Sequence, residues 1–223
     1  MNNVLDALHG GLVVSCQAGA DSPLRDTSTI ARVAAAAVAG GAVGLRIEGP
    51  ADVRAVRAET DLPIIGLHKI RGTGRSLITP SLELAVEIVA AGASIVALEV
   101  TEELNGADLT LLREASGLGV PIMADVSTLD EGLRAAEAGA DIVGTTLSGY
   151  TPHSLGGDEP DLALVEALAG RGIRTVAEGR YRTPEQVRSA FAAGADFVVV
   201  GGAITDPLAL TRRFAAAAPG RSA

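Results

Sequence analysis

The stretch Ala138-Gly139-Ala140-Asp141-Ile142-Val143-Gly144-Thr145 decides how this chain is read. An alanine-rich helix runs into a Gly, and a short apolar run follows at once. The same unit returns as Ala39-Gly40-Gly41-Ala42-Val43, Ala91-Gly92-Ala93-Ser94-Ile95 and Ala193-Gly194-Ala195-Asp196-Phe197. A recurrence of roughly 50 residues is a repeat. Each Gly stands just past a helix, where a left-handed C-terminal residue does without a Cβ.

Working outward, a second apolar run lies halfway through each unit. The eight strand candidates are Leu12–Cys16, Val43–Ile47, Pro63–Lys69, Ile95–Val100, Val120–Asp125, Ile142–Leu147, Arg174–Glu178 and Phe197–Gly201. They are continuous rather than alternating, as expected of strands buried on both faces. The helical segments between them have readable starts: Thr183-Pro184, Asp206-Pro207, and Ser81 or Thr79-Pro80. Each pairs a capping residue with a proline suited to the first helical turn. Eight strands alternating with eight helices predict an α/β fold, a single (β/α)8 TIM barrel, as one domain over residues 1–223. A doubly wound open sheet is the alternative. Residues 1–10 are expected to add a helix that closes the bottom, and the longer βα loops are 17–28, 70–80 and 148–160.

Composition narrows the function. The formal net charge is -9, which argues against nucleic acid or an anionic membrane as partner. Cys16 is the lone cysteine, so neither an internal disulfide nor the common zinc spacings apply, and His9, His68 and His153 do not form a metal cluster by spacing. No basic-then-apolar leader opens the chain and no long uncharged apolar stretch occurs. The expectation is a cytoplasmic protein acting on a small molecule.

The chain has one lysine, Lys69, and seventeen arginines. Arg stays protonated in protein sites, whereas a Lys amine partly removed from water can lose its proton and act as a base. In such barrels the active site lies at the C-terminal strand ends. There the sequence puts Ser15 and Gln17, Arg46 and Glu48, Lys69, Glu99 and Thr101, Asp125 and Ser127, Thr145 and Thr146, Glu178 and Gly179, and Gly201 with Gly202. Lys69 and Glu178 are the strongest catalytic pair, with a direct Lys69 salt bridge as the structural alternative for Glu178 or Asp125. Gln17, Arg46, Asp125 and Thr146 are substrate-binding candidates. Gly179, Gly201 and Gly202 end the last two strands, the usual phosphate site of these barrels, and Arg180 adds charge. Tyr150 and Tyr181 fall in mouth loops and can cover a ligand. Cys16 reads as a small buried hydrophobe.

At these residues the chain resembles the bacterial N-acylmannosamine-6-phosphate 2-epimerase family over nearly its whole length. The stretches that carry the resemblance include Gly10 to Gln17, Pro63-Ile64-Ile65-Gly66 with Lys69, Gly144 to Thr151, Glu159 to Val165, Ala177-Glu178-Gly179-Arg180-Tyr181, and Gly201 to Thr205. The resemblance implies inversion at C2 of an N-acylated amino-sugar 6-phosphate with neither metal nor organic cofactor. It implies an acid/base role for Lys69, help with ring opening from Glu178, sugar contacts for Gln17, Arg46 and Asp125, and phosphate contacts for Gly179, Gly201 and Gly202. A homodimer is expected. Three segments depart from the family pattern: Asp206 stands where the family has an Arg that helps bind phosphate, Ile70-Arg71 follows the lysine, and the loop from Glu99 to Gly106 differs. These leave a differently substituted or unphosphorylated sugar as the alternative substrate, with Arg71, Arg75 or Arg182 as substitutes for the missing Arg.

Overall fold

The computed structural model describes residues 3–72, 74–106, 108–154 and 156–220. Met1 and Asn2, the start of the segment read as lacking a leader, lie outside the described residues. Among the described residues ten strands form: β1 (Leu12–Cys16), β2 (Gly44–Glu48), β3 (Ile64–Leu67), β4 (Lys69–Ile70), β5 (Leu77–Ile78), β6 (Ile95–Glu99), β7 (Ile122–Asp125), β8 (Ile142–Gly144), β9 (Thr175–Glu178) and β10 (Phe197–Val200). Eight of them close a parallel barrel in the order β1-β10-β9-β8-β7-β6-β3-β2. The remaining two, β4 and β5, pair antiparallel as a ribbon above it.

The four Gly residues of the repeat do what their position requires. Gly41, Gly92, Gly139 and Gly194 have φ of 96°, 105°, 103° and 98°, a region that side chains with a Cβ enter at a cost. Helix starts are set by side chains that accept an orphan N–H. Ser81 caps the helix Leu82–Ala90, while Thr128 with Glu131 and Thr183 with Gln186 form reciprocal capping boxes.

Two apolar layers result. Val13, Ile65, Ile95, Met123, Ile142, Val176 and Phe197 fill the barrel interior, joined from below by Leu5 and Leu8 of the helix Asn3–Leu8. That helix closes the N-terminal end, as the sequence leads one to expect. The outer layer sets Val14, Leu45, Ile64, Val96 and Ile122 against Ile30, Val53, Ile88 and Leu112 of the surrounding helices. The last helix, Pro207–Ala216, differs from the others of its length: none of its residues is buried.

The strand limits correct the sequence reading at two points. The third strand ends at Leu67 rather than Lys69, because His68 turns the chain into the ribbon. The sixth ends at Gly144 rather than Leu147, because the Leu147 N–H bonds to Val126 O at 3.0 Å and starts a turn. Among the described residues, no helix is long and apolar enough to cross a membrane.

Gly66 makes one quantitative test. A Cβ there would lie 2.4 Å from Ile88 Cγ2 and 2.7 Å from Ala93 Cβ. Gly66→Ala is expected to destabilise the fold by about 1–3 kcal/mol through overpacking, read as a shifted urea midpoint at unchanged m-value.

Candidate active site

The site is built on a charge cluster inside the barrel. Arg46 of β2, Asp125 of β7 and Glu178 of β9 turn inward. Arg46 Nη2 donates to Asp125 Oδ2 at 2.6 Å, and Nη1 to Asp125 Oδ1 at 3.1 Å and Glu178 Oε2 at 2.5 Å. The Thr146 hydroxyl donates to Asp125 Oδ1 at 2.5 Å and lies 3.3 Å from Glu178 Oε2. Thr145 fixes the end of β9, its hydroxyl bonding to the Glu178 carbonyl at 2.9 Å and accepting the Glu178 N–H at 3.1 Å. Gly144 makes room for the cluster: a Cβ there would meet Met123 Cε at 2.4 Å and Asp125 Oδ1 at 3.2 Å.

Lys69 approaches from above, on β4. Its residue pairs with Ile78 across the ribbon, and the base of the ribbon is closed by His68 N–H to Thr79 Oγ1 at 3.0 Å and Thr79 N–H to His68 O at 2.8 Å. Among the described residues, Glu178 is ion-paired with Arg46 and not with Lys69. The structural alternative of a direct Lys69 bridge to Glu178 or Asp125 therefore gives way to Arg46, which takes both carboxylates.

The electrostatics pull the two outer groups towards each other. Burial pushes the Glu178 carboxyl up to about 7. Arg46 opposes the rise, Asp125 adds to it, and Lys69 and the Thr146 hydroxyl also oppose it. Burial pulls the Lys69 ammonium below its ordinary range, with Glu48 the main carboxylate resisting, Arg46 adding to the fall and Glu178 resisting. Burial also works against the Arg46 charge, but Asp125 and Glu178 more than offset it.

A cavity of about 860 Å³ opens above this cluster. Gln17, Lys69, Thr146, Glu178, Gly179, Arg180, Gly201 and Gly202 all line it. Arg46 and Asp125 do not: they are 1% and 0% exposed and lie under its floor. The donors and acceptors that the sequence reading assigned to the sugar are here engaged within the protein, Arg46 with Asp125 and Glu178, and Asp125 also with Thr146. Gln17 and Lys69 also line a smaller cavity of about 330 Å³ with Glu48, Gly49 and Arg71.

The loop that follows β8 forms one wall. Arg180 has φ 63° and donates to the carbonyls of Glu159 at 2.7 Å and Ser148 at 2.8 Å. Its guanidinium lies 5.6 Å from the Tyr150 ring centroid, and Gly149 leaves room for it, since a Cβ there would fall 1.6 Å from Nη1. Arg180 is therefore largely spent on the wall. Tyr150 is exposed at the mouth, whereas Tyr181 is buried against Val165, Ala190 and Val198, and both line the cavity. Asp206 caps the last helix through the Ala209 N–H at 2.9 Å. Arg71 is bridged to Glu48 at 2.7 Å, and Arg75 to Glu99 and Glu103.

Glu48 is a residue the sequence listed at a strand end but gave no role. The signal was present, since it stands two positions after inward-facing Arg46 on one strand. Cys16 is buried, its thiol pushed up to about 12 by burial, which fits packing rather than nucleophilic work. Among the described residues, no three His, Cys, Asp or Glu side chains gather where they could hold a metal ion.

Comparison with known proteins bears on this geometry. The profile of the family described as "Putative N-acetylmannosamine-6-phosphate epimerase" matches residues 30–219. A Cutibacterium acnes protein named "Putative N-acetylmannosamine-6-phosphate 2-epimerase" is 46% identical over 220 residues, covering 96% of each chain. A Klebsiella pneumoniae protein of the same name is 48% identical over 199 residues, covering 88% of this chain and 85% of its own. The solved N-acetylmannosamine-6-phosphate 2-epimerase from Clostridium perfringens superposes with a TM-score of 0.89 at 38% identity, over 96% of each chain. A thiamine phosphate pyrophosphorylase from Pyrococcus furiosus, at 18% identity and TM-score 0.62, shares the fold alone.

Glu178 yields a signed prediction. Its folded pKa is raised from 4.5 to about 7, so between these values the native state holds more protons than the unfolded chain. Stability contributed by this group therefore falls as pH rises through that window. Relative to wild type, Glu178→Gln is expected to gain on the order of 1–3 kcal/mol in urea unfolding between pH 5 and pH 8. A relative stability that stays flat over that window would contradict the shift.

Proposed function

The chain belongs to the N-acetylmannosamine-6-phosphate epimerase family, and from that premise we propose that it interconverts N-acetylmannosamine 6-phosphate and N-acetylglucosamine 6-phosphate by inverting C2. One observation carries the reading: a lysine lowered by burial and a carboxyl raised by burial face the same cavity.

A C2 proton is acidic only beside a carbonyl, so the sugar ring opens first. Glu178, half-protonated near neutral pH, gives a proton to the ring oxygen and takes one from the C1 hydroxyl. Neutral Lys69 then takes the C2 proton. The C2–H electron pair moves into the C1–C2 bond and the carbonyl oxygen gains the charge. The planar intermediate turns about C2–C3, and the Lys69 ammonium returns the proton to the other face. No atom is gained or lost, as an isomerase requires. Arg46 and Asp125 act from below by fixing the Glu178 carboxylate, while Gln17 and Thr146 meet the sugar hydroxyls. The phosphate is received by backbone N–H groups of Gly179, Gly201 and Gly202, where the first turn of the helix Gly202–Thr205 leaves donors free. Arg182 and Arg213 add positive charge on the same wall. The extensive likeness to the named epimerases supports this substrate over an unphosphorylated sugar.

The test is proton NMR in D₂O with N-acetylmannosamine 6-phosphate. Wild type is expected to exchange the C2 proton for deuterium and build up the gluco epimer, while Lys69→Ala and Lys69→Arg do neither. A folded wild-type protein that leaves the C2 proton in place would overturn the proposal.

A homodimer accompanies this reading. The helix Pro207–Ala216 buries nothing, Phe214 is 73% exposed, and Ala209, Leu210 and Arg213 line the cavity. A second copy seated on this helix would cover its apolar face and complete the cavity wall. Sedimentation is expected to show a dimer that Phe214→Glu shifts towards monomer.

A further inference from the structure

The ribbon that carries Lys69 is too small to hold itself. Each of its strands has two residues, and an isolated two-stranded hairpin is marginal even when longer. Its conformation includes a cost as well: Thr79, fully buried and β-branched, has φ 45°. Such a residue persists only where its surroundings over-determine it.

The determining contacts come from Glu99, the last residue of β6. Its carboxylate is 1% exposed. It accepts from Ile78 N–H at 3.1 Å, from the Thr101 hydroxyl at 2.7 Å, and from both ends of the Arg75 fork, Nη1 at 3.0 Å and Nη2 at 2.5 Å. Ile78 is the cross-strand partner of Lys69, so Glu99 ties the barrel wall to the residue that faces the lysine. Arg75 closes the other end of the ribbon, its Nε donating to Glu103 at 2.8 Å and Nη1 also to Ser76 O at 3.3 Å. Every nitrogen of this guanidinium already has an acceptor within the protein. Arg75 lines the main cavity, yet its donors are turned away from a ligand.

We propose that the Arg75–Glu99 ion pair is a latch that fixes the ribbon on the barrel rim, making both side chains positioning residues for the C2 proton transfer by Lys69. The transfer itself rests on the epimerase reading above; the latch does not. It also gives a use to Glu99 and Glu103 of the loop that departs from the family pattern, and to Arg75, named above as a substitute for the missing Arg. They satisfy each other instead of reshaping the substrate site.

Because Lys69 is the sole lysine, selective lysine labelling reports its amine alone, with or without turnover. The experiment compares wild type, Arg75→Gln, Glu99→Gln and Arg75→Lys by lysine-selective NMR titration and by epimerase kinetics. In Arg75→Gln and Glu99→Gln the ribbon loosens and the amine is hydrated. The Lys69 titration is then expected to move up towards about 10.4, the value for an unperturbed lysine. With it, kcat falls about 10- to 100-fold while KM stays within about threefold, as misplacement of a reacting group predicts. Arg75→Lys keeps the charge without the fork and is expected to recover part of both signals. Folded variants with an unchanged Lys69 titration and kcat would overturn the latch, as would a raised KM at constant kcat, which marks a ligand contact. Arg75→Gln, at a partly exposed position, carries the test if Glu99→Gln does not fold. A wild type with no epimerase activity would sink the epimerase reading and leave the titration to judge the latch.

Discussion

The guanidinium of Arg46, buried between the carboxylates of Asp125 and Glu178, is the constraint on which the site depends. One cation faces two anions, with Arg46 and Asp125 buried and Glu178 at the floor of the cavity. Leaving a buried charge without its partner costs about 3–5 kcal/mol, so the barrel interior is committed to this set of side chains. The bidentate hold on Asp125 takes the geometry that a guanidinium fork offers and an ammonium does not. It leaves Glu178 as the less satisfied carboxylate, with a single Arg46 nitrogen and a distant Thr146 hydroxyl. That imbalance, with burial, is why Glu178 is the group whose proton is held to about pH 7. Arg46 acts on Lys69 in the same sense, since its charge lowers the ammonium as it opposes the rise of the Glu178 carboxyl. Burial thus brings the two groups closer in proton affinity, raising Glu178 and lowering Lys69, while the fixed charge under the floor limits the first shift and adds to the second.

The two groups proposed to move protons are held in different ways. Glu178 ends a barrel strand and is pinned by Thr145 on the neighbouring loop, so its position follows from the barrel itself. Lys69 stands outside the barrel, on a ribbon whose fixity is imported from the rim. The arrangement lets the lysine reach over the mouth, where it borders both the main cavity and the smaller one beside Glu48. A residue at the end of β3 proper would have been lower and nearer the charges already filling the floor.

Much of this was legible in the sequence, for identifiable reasons. The Gly after each alanine-rich helix is a local demand for positive φ, and local demands show in single residues. The barrel followed from counting apolar runs, and the ring of polar residues from where those runs stop. Depth was not legible. Period-two alternation says that Arg46 and Asp125 face inward, yet not that Thr146 and Glu178 would roof them over. The ribbon was read as the tail of a strand because Pro63 to Lys69 is one apolar run and the break at His68 comes from a pairing with Thr79, eleven residues on. Arg75 and Glu99 were each visible as candidates, but their pairing was not, since they lie more than twenty residues apart and each looks alone like a group free to meet a ligand.

Under the proposed function, Asp206 raises the question of how an anion is tolerated beside a phosphate. A carboxylate at this place looks unfavourable if treated as a free charge. In the structure it is not free: it accepts the Ala209 N–H at the start of the helix Pro207–Ala216, where the helix dipole offsets negative charge. Arg213, two turns along the same helix, lines the same cavity and returns a positive charge to that wall. Both Asp206 and Arg213 line the cavity, the carboxylate engaged by the Ala209 N–H and the guanidinium adding charge of the opposite sign. Since the helix buries none of its own residues, a second copy seated on it, as proposed above, would also set how close that cation comes to a bound phosphate, so the two proposals stand on one helix.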